Sequence, residues 1–258
     1  MQTSFSLAPG TTIAIVGAGR LGRVLARALR SAEIEVLGPV GRDERIPDAD
    51  IVLLCVPDAA ITGAAVDARP HAGFLGHVSG ATALTDVDFS LHPLQTFTGA
   101  EGPEVFRGIG AAIAGRTSEA RHIGEQLAVA LGARPFEVDD AHRASYHAAA
   151  SFASNFVLTV LDSAEGLASA AGIPRDEARA LLAPLVHQTV ENWATNGAAP
   201  VLTGPIARGD EATVARQRAA AEELDLSDLF DALAAATRAI AARRTATSPL
   251  SATEESHA

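Results

Sequence analysis

The chain contains no lysine, and all 20 of its basic residues are arginine. This removes Schiff-base chemistry and every lysine general acid, leaving Arg, His, Tyr, Ser and the carboxylates to carry any reaction. Cysteine is nearly missing too: Cys55 stands alone, so neither a disulfide framework nor a cysteine-rich metal site can be assembled. A reducing, cytoplasmic setting without a bound metal is expected. Long apolar runs are absent, and the opening residues "MQTSFSLAPG" lack the basic and apolar stretches of a targeting signal, so no membrane association is expected. Positive charge is short as well. The 20 basic residues face 31 acidic ones, for a net charge of −11 mixed along the chain, which offers no footprint for a nucleic-acid backbone.

What remains is 258 residues at 48% hydrophobic composition, enough to bury a sizeable core and to form two domains. From Thr11 to about Val138, short β-branched runs alternate with helical segments: "TIAIV", "IEVLG", "DIVLLCVP", "GFLGHVS", "DFSL" and "GAAIAG". Such alternation predicts an α/β fold with a doubly wound parallel sheet. After about Asp139 the strand-like runs stop, and alanine- and leucine-rich periodic segments predict helices over roughly 141–170, 174–195, 210–222 and 225–243, with Pro174 and Asp210 suited to helix starts. The expected organisation is a nucleotide-binding domain over 11–139, an all-α domain over 140–243, and Ser/Thr/Ala-rich tails at 1–10 and 244–258.

"TIAIVGAGRLG" is a strand running into Gly17-x-Gly19-x-x-Gly22 and the helical "RVLARALR". In that setting the first glycine makes a tight turn, the second admits a pyrophosphate to the backbone, and the third lets helix and strand pack closely. The whole loop, Arg20 and Leu21 included, is therefore assigned to a dinucleotide. The second strand should end near the adenosine ribose, where Arg42 falls 25 residues beyond Gly17. A guanidinium there suits a 2′-phosphate and favours NADP over NAD. Two other readings stay open: a plain surface arginine beside Asp43, or Asp43 itself reaching the ribose. Val56-Pro57 ends a further strand and should pass the nicotinamide side, with Cys55 read as a small buried hydrophobe.

"HVSGA" (77–81) and "LHPLQTF" (91–97) each follow a short strand. Loops at carboxyl strand ends share one crevice, which should bring Ser79, Gly80, His92 and Gln95 near the cofactor's reactive end as substrate-binding candidates. His92 reads equally as a histidine capping a loop. In "SYHAAASFASN" (145–155), steps of four align His147, Ser151 and Asn155 on one helix face, while Phe152, Phe156 and Val160 point the other way, toward a core. Tyr146 points about 100° from that stripe and reads as structural. In "TGPIARGD" (203–210), Gly204-Pro205 sets a turn and Asp210 caps the next helix; Thr203 and Arg208 are further substrate candidates. Arg208 suits a substrate carboxylate, or is simply solvated or ion-paired.

Together, "GAGRLG", "HVSGA", "HPLQTF", "YHAAASFASN" and "TGPIARGD" resemble a bacterial family of NADP-binding proteins with a Rossmann-like N-terminal domain and a helical C-terminal domain of undefined function. The resemblance spans about residues 11–222. More distantly, the layout is similar to the 6-phosphogluconate and β-hydroxyacid dehydrogenases and the pyrroline-5-carboxylate and ketopantoate reductases. It implies hydride exchange between NADP and a small oxo or hydroxy acid, or an imine, in a homodimer. The β-hydroxyacid enzymes place a catalytic lysine four residues before an asparagine; here Ser151 stands at that spacing before Asn155, and a serine hydroxyl cannot do a lysine's acid–base work. His147, one turn earlier, titrates from an ordinary value of about 6.5 and becomes the expected proton donor, with Ser151 and Asn155 orienting the substrate. The bland reading is a polar helix face packed against the nucleotide domain. The resulting expectation is an NADP-dependent reductase of a small anionic carbonyl compound such as ketopantoate. The alternatives are an imine reductase and a redox-silent NADP-binding sensor or partner protein.

Overall fold

The computed structural model describes residues 7–246. In β1 (Thr12–Val16), Ile13 and Ile15 join one apolar cluster while Ala14 and Val16 join another. Successive side chains point to opposite faces of a strand, so a strand apolar at every position has both faces covered. After β1 the order is α1 (Arg20–Ser31), β2 (Glu35–Val40), β3 (Ala49–Leu54), α2 (Ile61–Ala68), β4 (Ala72–His77), β5 (Phe89–Pro93), β6 (Gly110–Gly115), α3 (Ser118–Ala130) and β7 (Arg134–Glu137). The first cluster packs Leu25 and Leu29 of α1 and Leu127 of α3 on one face; Ile61, Ala65 and Ala68 of α2 cover the other.

The strand order is β2-β1-β3-β4-β5-β6-β7. Parallel pairing joins the first five, but β6 runs antiparallel to β5 and β7 follows β6 in that reversed direction. The sheet is mostly parallel rather than wholly so; α-helices occupy the β1–β2, β3–β4 and β6–β7 connections, and a single 3-10 turn (Pro103–Phe106) lies between β5 and β6. β7, "RPFE", is not among the runs that the sequence marks as strands. Because the chain leaves β1 for β2 on one side and returns to β3 on the other, a topological switch point lies between β1 and β3.

Helices continue with α4 (Arg143–Ala153), α5 (Asn155–Ala170), α6 (Arg175–Asn196), α7 (Ala198–Val201), α8 (Pro205–Arg208), α9 (Glu211–Glu222) and α10 (Ser227–Ala246). Two compact units divide between Asn155 and Phe156, so α4 belongs with the sheet although the composition changes at Asp139. The reason is Arg143, 4% exposed, whose guanidinium donates to Asp140 at 2.5 Å and to Ser90 of β5 at 2.7 Å. In the second unit Glu165 of α5 takes a two-pronged bond from Arg179 of α6 at 2.8 and 2.9 Å, and Asp210 caps α9 through the Thr213 N–H. Of the expected tails, residues 1–6 and 247–258 lie outside the described residues. Thr11 closes a turn on Ala8, and α10 runs on through 244–246, since its alanine-rich sequence gives no stop signal at 243. No helix among the described residues is long and apolar enough to cross a membrane.

The expected helix over 141–170 is broken at Ser154 (φ −132°, ψ −75°), whose hydroxyl donates back to the Ala150 carbonyl at 2.8 Å. His147 and Ser151 share α4, but Asn155 opens α5, so the three-residue stripe is not continuous. Its apolar back also differs from expectation: Phe152, Phe156 and Val160 are 69%, 49% and 38% exposed rather than packed in a core. Phe152 lies on α4 and Phe156 and Val160 on α5; Leu158 on α5 and Leu181, Leu185 and Trp193 on α6 are exposed as well.

Candidate active site

The strand ends at the switch point are tied side by side. The Gly17 N–H donates to Val40 O, Cys55 N–H to Val16 O and Val78 N–H to Leu54 O, so the loops after β1, β3 and β4 leave the sheet together. With the end of β5 and one residue of α4 they enclose a cavity of about 410 Å³. It is lined by Gly19, Arg20 and Leu21, by Cys55 to Asp58, by Val78 to Gly80, by His92, Pro93, Gln95 and Phe97, and by His147.

Each glycine of the first loop meets a different constraint. Gly17 has φ +112°, and a side chain there would overlap the Cys55 carbonyl; one at Gly22 would overlap the Gly17 carbonyl. A Cβ at Gly19 meets nothing within 4 Å. The two outer glycines therefore pack the loop tightly, while the middle one keeps backbone open at the N-terminus of α1, whose first turn carries no acidic residue. That combination fits a pyrophosphate. Arg42 lies exposed in the turn after β2 and does not line this cavity. Burial pushes the Cys55 thiol up to about 12, which disfavours the thiolate.

Three histidines gather at the other end. His77 is fully buried; its Nδ1 accepts the Ser79 N–H at 3.2 Å and its Nε2 faces the Ala83 carbonyl at 3.4 Å. His92 Nδ1 is 2.6 Å from the Tyr146 hydroxyl, and its ring stands edge-on to His147 at 6.1 Å. His147 Nδ1 is buried without a hydrogen-bond partner. Gly80 seats both rings: a Cβ there would lie 2.9 Å from His147 Nδ1 and 2.9 Å from His92 Cε1. Burial, then the neighbouring His147, hold His92 down to about 4, with Asp58 opposing; burial and Arg143 lower His77. Burial raises the Tyr146 phenol to about 12.

Of the residues singled out from the sequence, Gly19, Arg20, Leu21, Val56, Pro57, Ser79, His92, Gln95 and His147 come together here. Gly17 and Gly22 stand behind them as packing. Ser79 spends its hydroxyl on a turn, accepting from the Ala81 and Thr82 N–H groups at 3.1 and 3.0 Å. Ser151 and Asn155 do not line the cavity; the break at Ser154 parts Asn155 from the helix that presents His147, whereas Ser151 lies on that helix one turn beyond it. Thr203 and Arg208 belong to the second unit and are exposed there, Arg208 ending the single turn of α8. Tyr146, structural by helix geometry alone, bonds directly to a cavity histidine 54 residues away. Arg143 gives no sequence signal beyond its position near a helix start. Among the described residues, no group of three or more His, Cys, Asp or Glu is placed to hold a metal ion.

Comparison with known proteins agrees with this architecture. A family profile described as "Domain of unknown function (DUF2520)" matches residues 109–237, half of the chain. A candidate NADP oxidoreductase from Bacteroides fragilis superposes with a TM-score of 0.75 at 20% identity, over 89% of this chain and 98% of that one. A protein from Thermotoga maritima gives 0.74 at 23% identity, over 90% and 99%. The NADP-bound pyrroline carboxylate reductase of Plasmodium falciparum gives 0.57 at 12% identity, over 90% and 98%. At these identities the likeness is one of fold. No curated protein matches the sequence at a significant level.

The histidine cluster should make stability depend on pH. His92 moves from its ordinary 6.5 to about 4, so the folded chain prefers the neutral ring. The stability that this preference contributes is fully present above about 6.5 and is lost as pH falls through about 4. His77, also lowered, acts in the same sense. Urea unfolding at pH 7 and pH 5 should show the parent losing up to about 2 kcal/mol more than His92→Gln. Equal losses would mean that His92 is not held neutral.

Proposed function

The chain belongs to the DUF2520 family, and from that premise we propose that it is an NADP-dependent reductase of a small anionic carbonyl compound, a 2-oxo acid of the ketopantoate kind. One observation carries the reading: the open backbone at Gly19 and the contacting pair His92 and His147 line a single cavity at the sheet's switch point. The helix N-terminus suits a pyrophosphate and the paired histidines suit proton handling, and a dinucleotide laid across strand ends needs both.

Gly19 and Arg20 are the groups we assign to the pyrophosphate, Val56-Pro57 to the nicotinamide side, and Arg42 to a 2′-phosphate. Bound NADPH supplies the hydride; the chain supplies orientation and the proton. His147 is the proton donor we favour, supported by its buried, unbonded Nδ1 in the cavity wall. His92, held neutral, serves as a hydrogen-bond donor to the substrate, and Gln95 as an orienting group. For Ser151 and Asn155 the geometry offers no support. Thr203 and Arg208 are kept as candidates for the substrate carboxylate on their sequence motif alone. Likeness in fold to a pyrroline carboxylate reductase keeps imine reduction as the second reading, since an acid at His147 serves either bond.

We further propose a homodimer formed through the helical unit, in the cytoplasm. What supports the dimer is the set of large apolar side chains that α5 and α6 expose, Leu158, Leu181, Leu185 and Trp193 among them. Light scattering should give a mass of twice 26.4 kDa; the mass of one chain would remove this part of the reading.

Following loss of reduced-cofactor absorbance over a panel of oxo acids and imines tests the central proposal. Tight NADPH binding without turnover on any of them would favour the redox-silent alternative. NADPH should bind more tightly than NADH, and Arg42→Ala should shrink that preference by roughly 10- to 100-fold, the worth of a bond between charged groups of about 1.5 to 3 kcal/mol. Gly19→Ala should fold normally yet weaken both cofactors; equal affinities of the parent for the two would remove the case for NADP.

His147→Gln should cut turnover roughly 10²- to 10⁴-fold with NADPH binding retained, because glutamine can keep a hydrogen bond but cannot deliver a proton. A variant that turns over at nearly the parental rate would show that His147 only orients.

A further inference from the structure

Tyr146 is the chain's single tyrosine, and it lies half-buried between two aromatic neighbours, with Phe136 at 5.9 Å and His92 at 5.5 Å, both edge-on. Its hydroxyl is 2.6 Å from His92 Nδ1, short enough that one hydrogen must lie between the two atoms. Either the phenol donates to Nδ1, or Nδ1–H donates to the phenol oxygen. The two arrangements present opposite chemistry to the cavity: the first leaves Nε2 carrying a proton, the second leaves it a bare acceptor.

We propose that Tyr146 is a positioning residue: its O–H donates to His92 Nδ1 and fixes His92 as the Nε2–H tautomer, which offers the cavity a permanent hydrogen-bond donor. Three observations favour this direction. The phenol, raised to about 12 by burial, keeps its proton at any physiological pH, and the bond to His92 is the one that uses it. His92, held near 4, is neutral and carries a single ring proton, so an Nδ1–H would spend that proton on Tyr146 and leave the phenol's own unused. On the neighbouring strand His77 shows the same arrangement with its direction fixed: the donor to Nδ1 is the Ser79 backbone N–H, which cannot accept.

The anchoring is built into α4. Arg143 is bonded to Ser90 and Tyr146, one turn further on, to His92, so two side chains of one helix hold two same-face residues of β5. The groups that act on His92 are His147, His77, Arg143 and Asp58, and only Asp58 favours its protonation. The two histidines of the cavity thereby take different parts: His92 offers a fixed hydrogen bond, and the proton donor of the reductase reading stays His147. What the donor acts on, a carbonyl oxygen or an imine nitrogen, rests on the reductase reading; the tautomer does not.

Long-range proton–nitrogen correlation spectra of ¹⁵N-histidine-labelled protein at pH 7 distinguish the two arrangements, with His92→Gln identifying the ring signals. The parent should show His92 protonated at Nε2 with Nδ1 as acceptor. In Tyr146→Phe, which keeps the ring contacts and removes the hydroxyl, the two nitrogen shifts should move toward each other as the second tautomer appears. A parent protonated at Nδ1 overturns the proposal, and so do shifts unchanged in the phenylalanine variant. Should that variant not fold, the parent spectrum alone separates the two tautomers. NADPH titration of the parent is a separate readout: failure there would sink the reductase reading and leave the tautomer standing.

Discussion

A buried guanidinium holds this site together. Arg143 is taken almost wholly out of water, which is tolerable only because Asp140 supplies an opposite charge and Ser90 accepts a further bond. The Ser90 bond ties the start of α4 to β5, the Asp140 bond holds the turn that leads into the helix, and Tyr146 and His147 follow on that same helix. The same cation acts through space: after burial it is the main influence lowering His77, and it adds a smaller contribution to the lowering of His92, where burial and His147 come first.

The direction of β6 limits what else can reach the cavity. Because β6 and β7 run against the first five strands, their carboxyl ends emerge at the opposite edge of the sheet, where Gly115, Arg116, Glu137 and Asp139 line a separate hollow. The cavity draws instead on the ends of β1, β3 and β4, whose ladders finish in register, and on β5, which runs past its last pairing with β4 at Ser90 to Pro93. Close packing does the rest: without side chains at Gly17 and Gly22 the first loop lies flat against β3, and without one at Gly80 the two histidines can approach.

This arrangement costs stability. Leaving His147 Nδ1 buried and unbonded costs about 1 to 3 kcal/mol, and holding two imidazoles neutral adds a penalty in acid. Structural cores avoid such groups; sites that use them do not. The outward apolar side chains of α5 and α6 are a second departure from the usual burial of large apolar groups.

Most of the fold is readable along the chain. Short apolar runs separated by helical segments locate six of the seven strands among the described residues, and the glycine spacing locates the nucleotide loop, because each is a local pattern with a local cause. His92, Gln95 and His147 are legible as candidates for the same reason, although His92, expected just after a strand, lies within β5, Gln95 follows that strand, and His147 is on a helix face that periodicity defines. The reversal of β6 leaves no local trace, since a strand's residues do not encode the direction of its neighbour. Nor does the break at Ser154, where one hydroxyl bonding back to Ala150 parts Asn155 from His147. Helix geometry alone turns Tyr146 away from the polar stripe, yet its partner lies 54 residues away, and no window of sequence contains both. The sequence by itself determined the sheet, the nucleotide loop and the set of candidate side chains; only the tertiary structure decided which of them meet. Local propensity acts over a few residues, whereas a buried cation and its partners act across the whole unit.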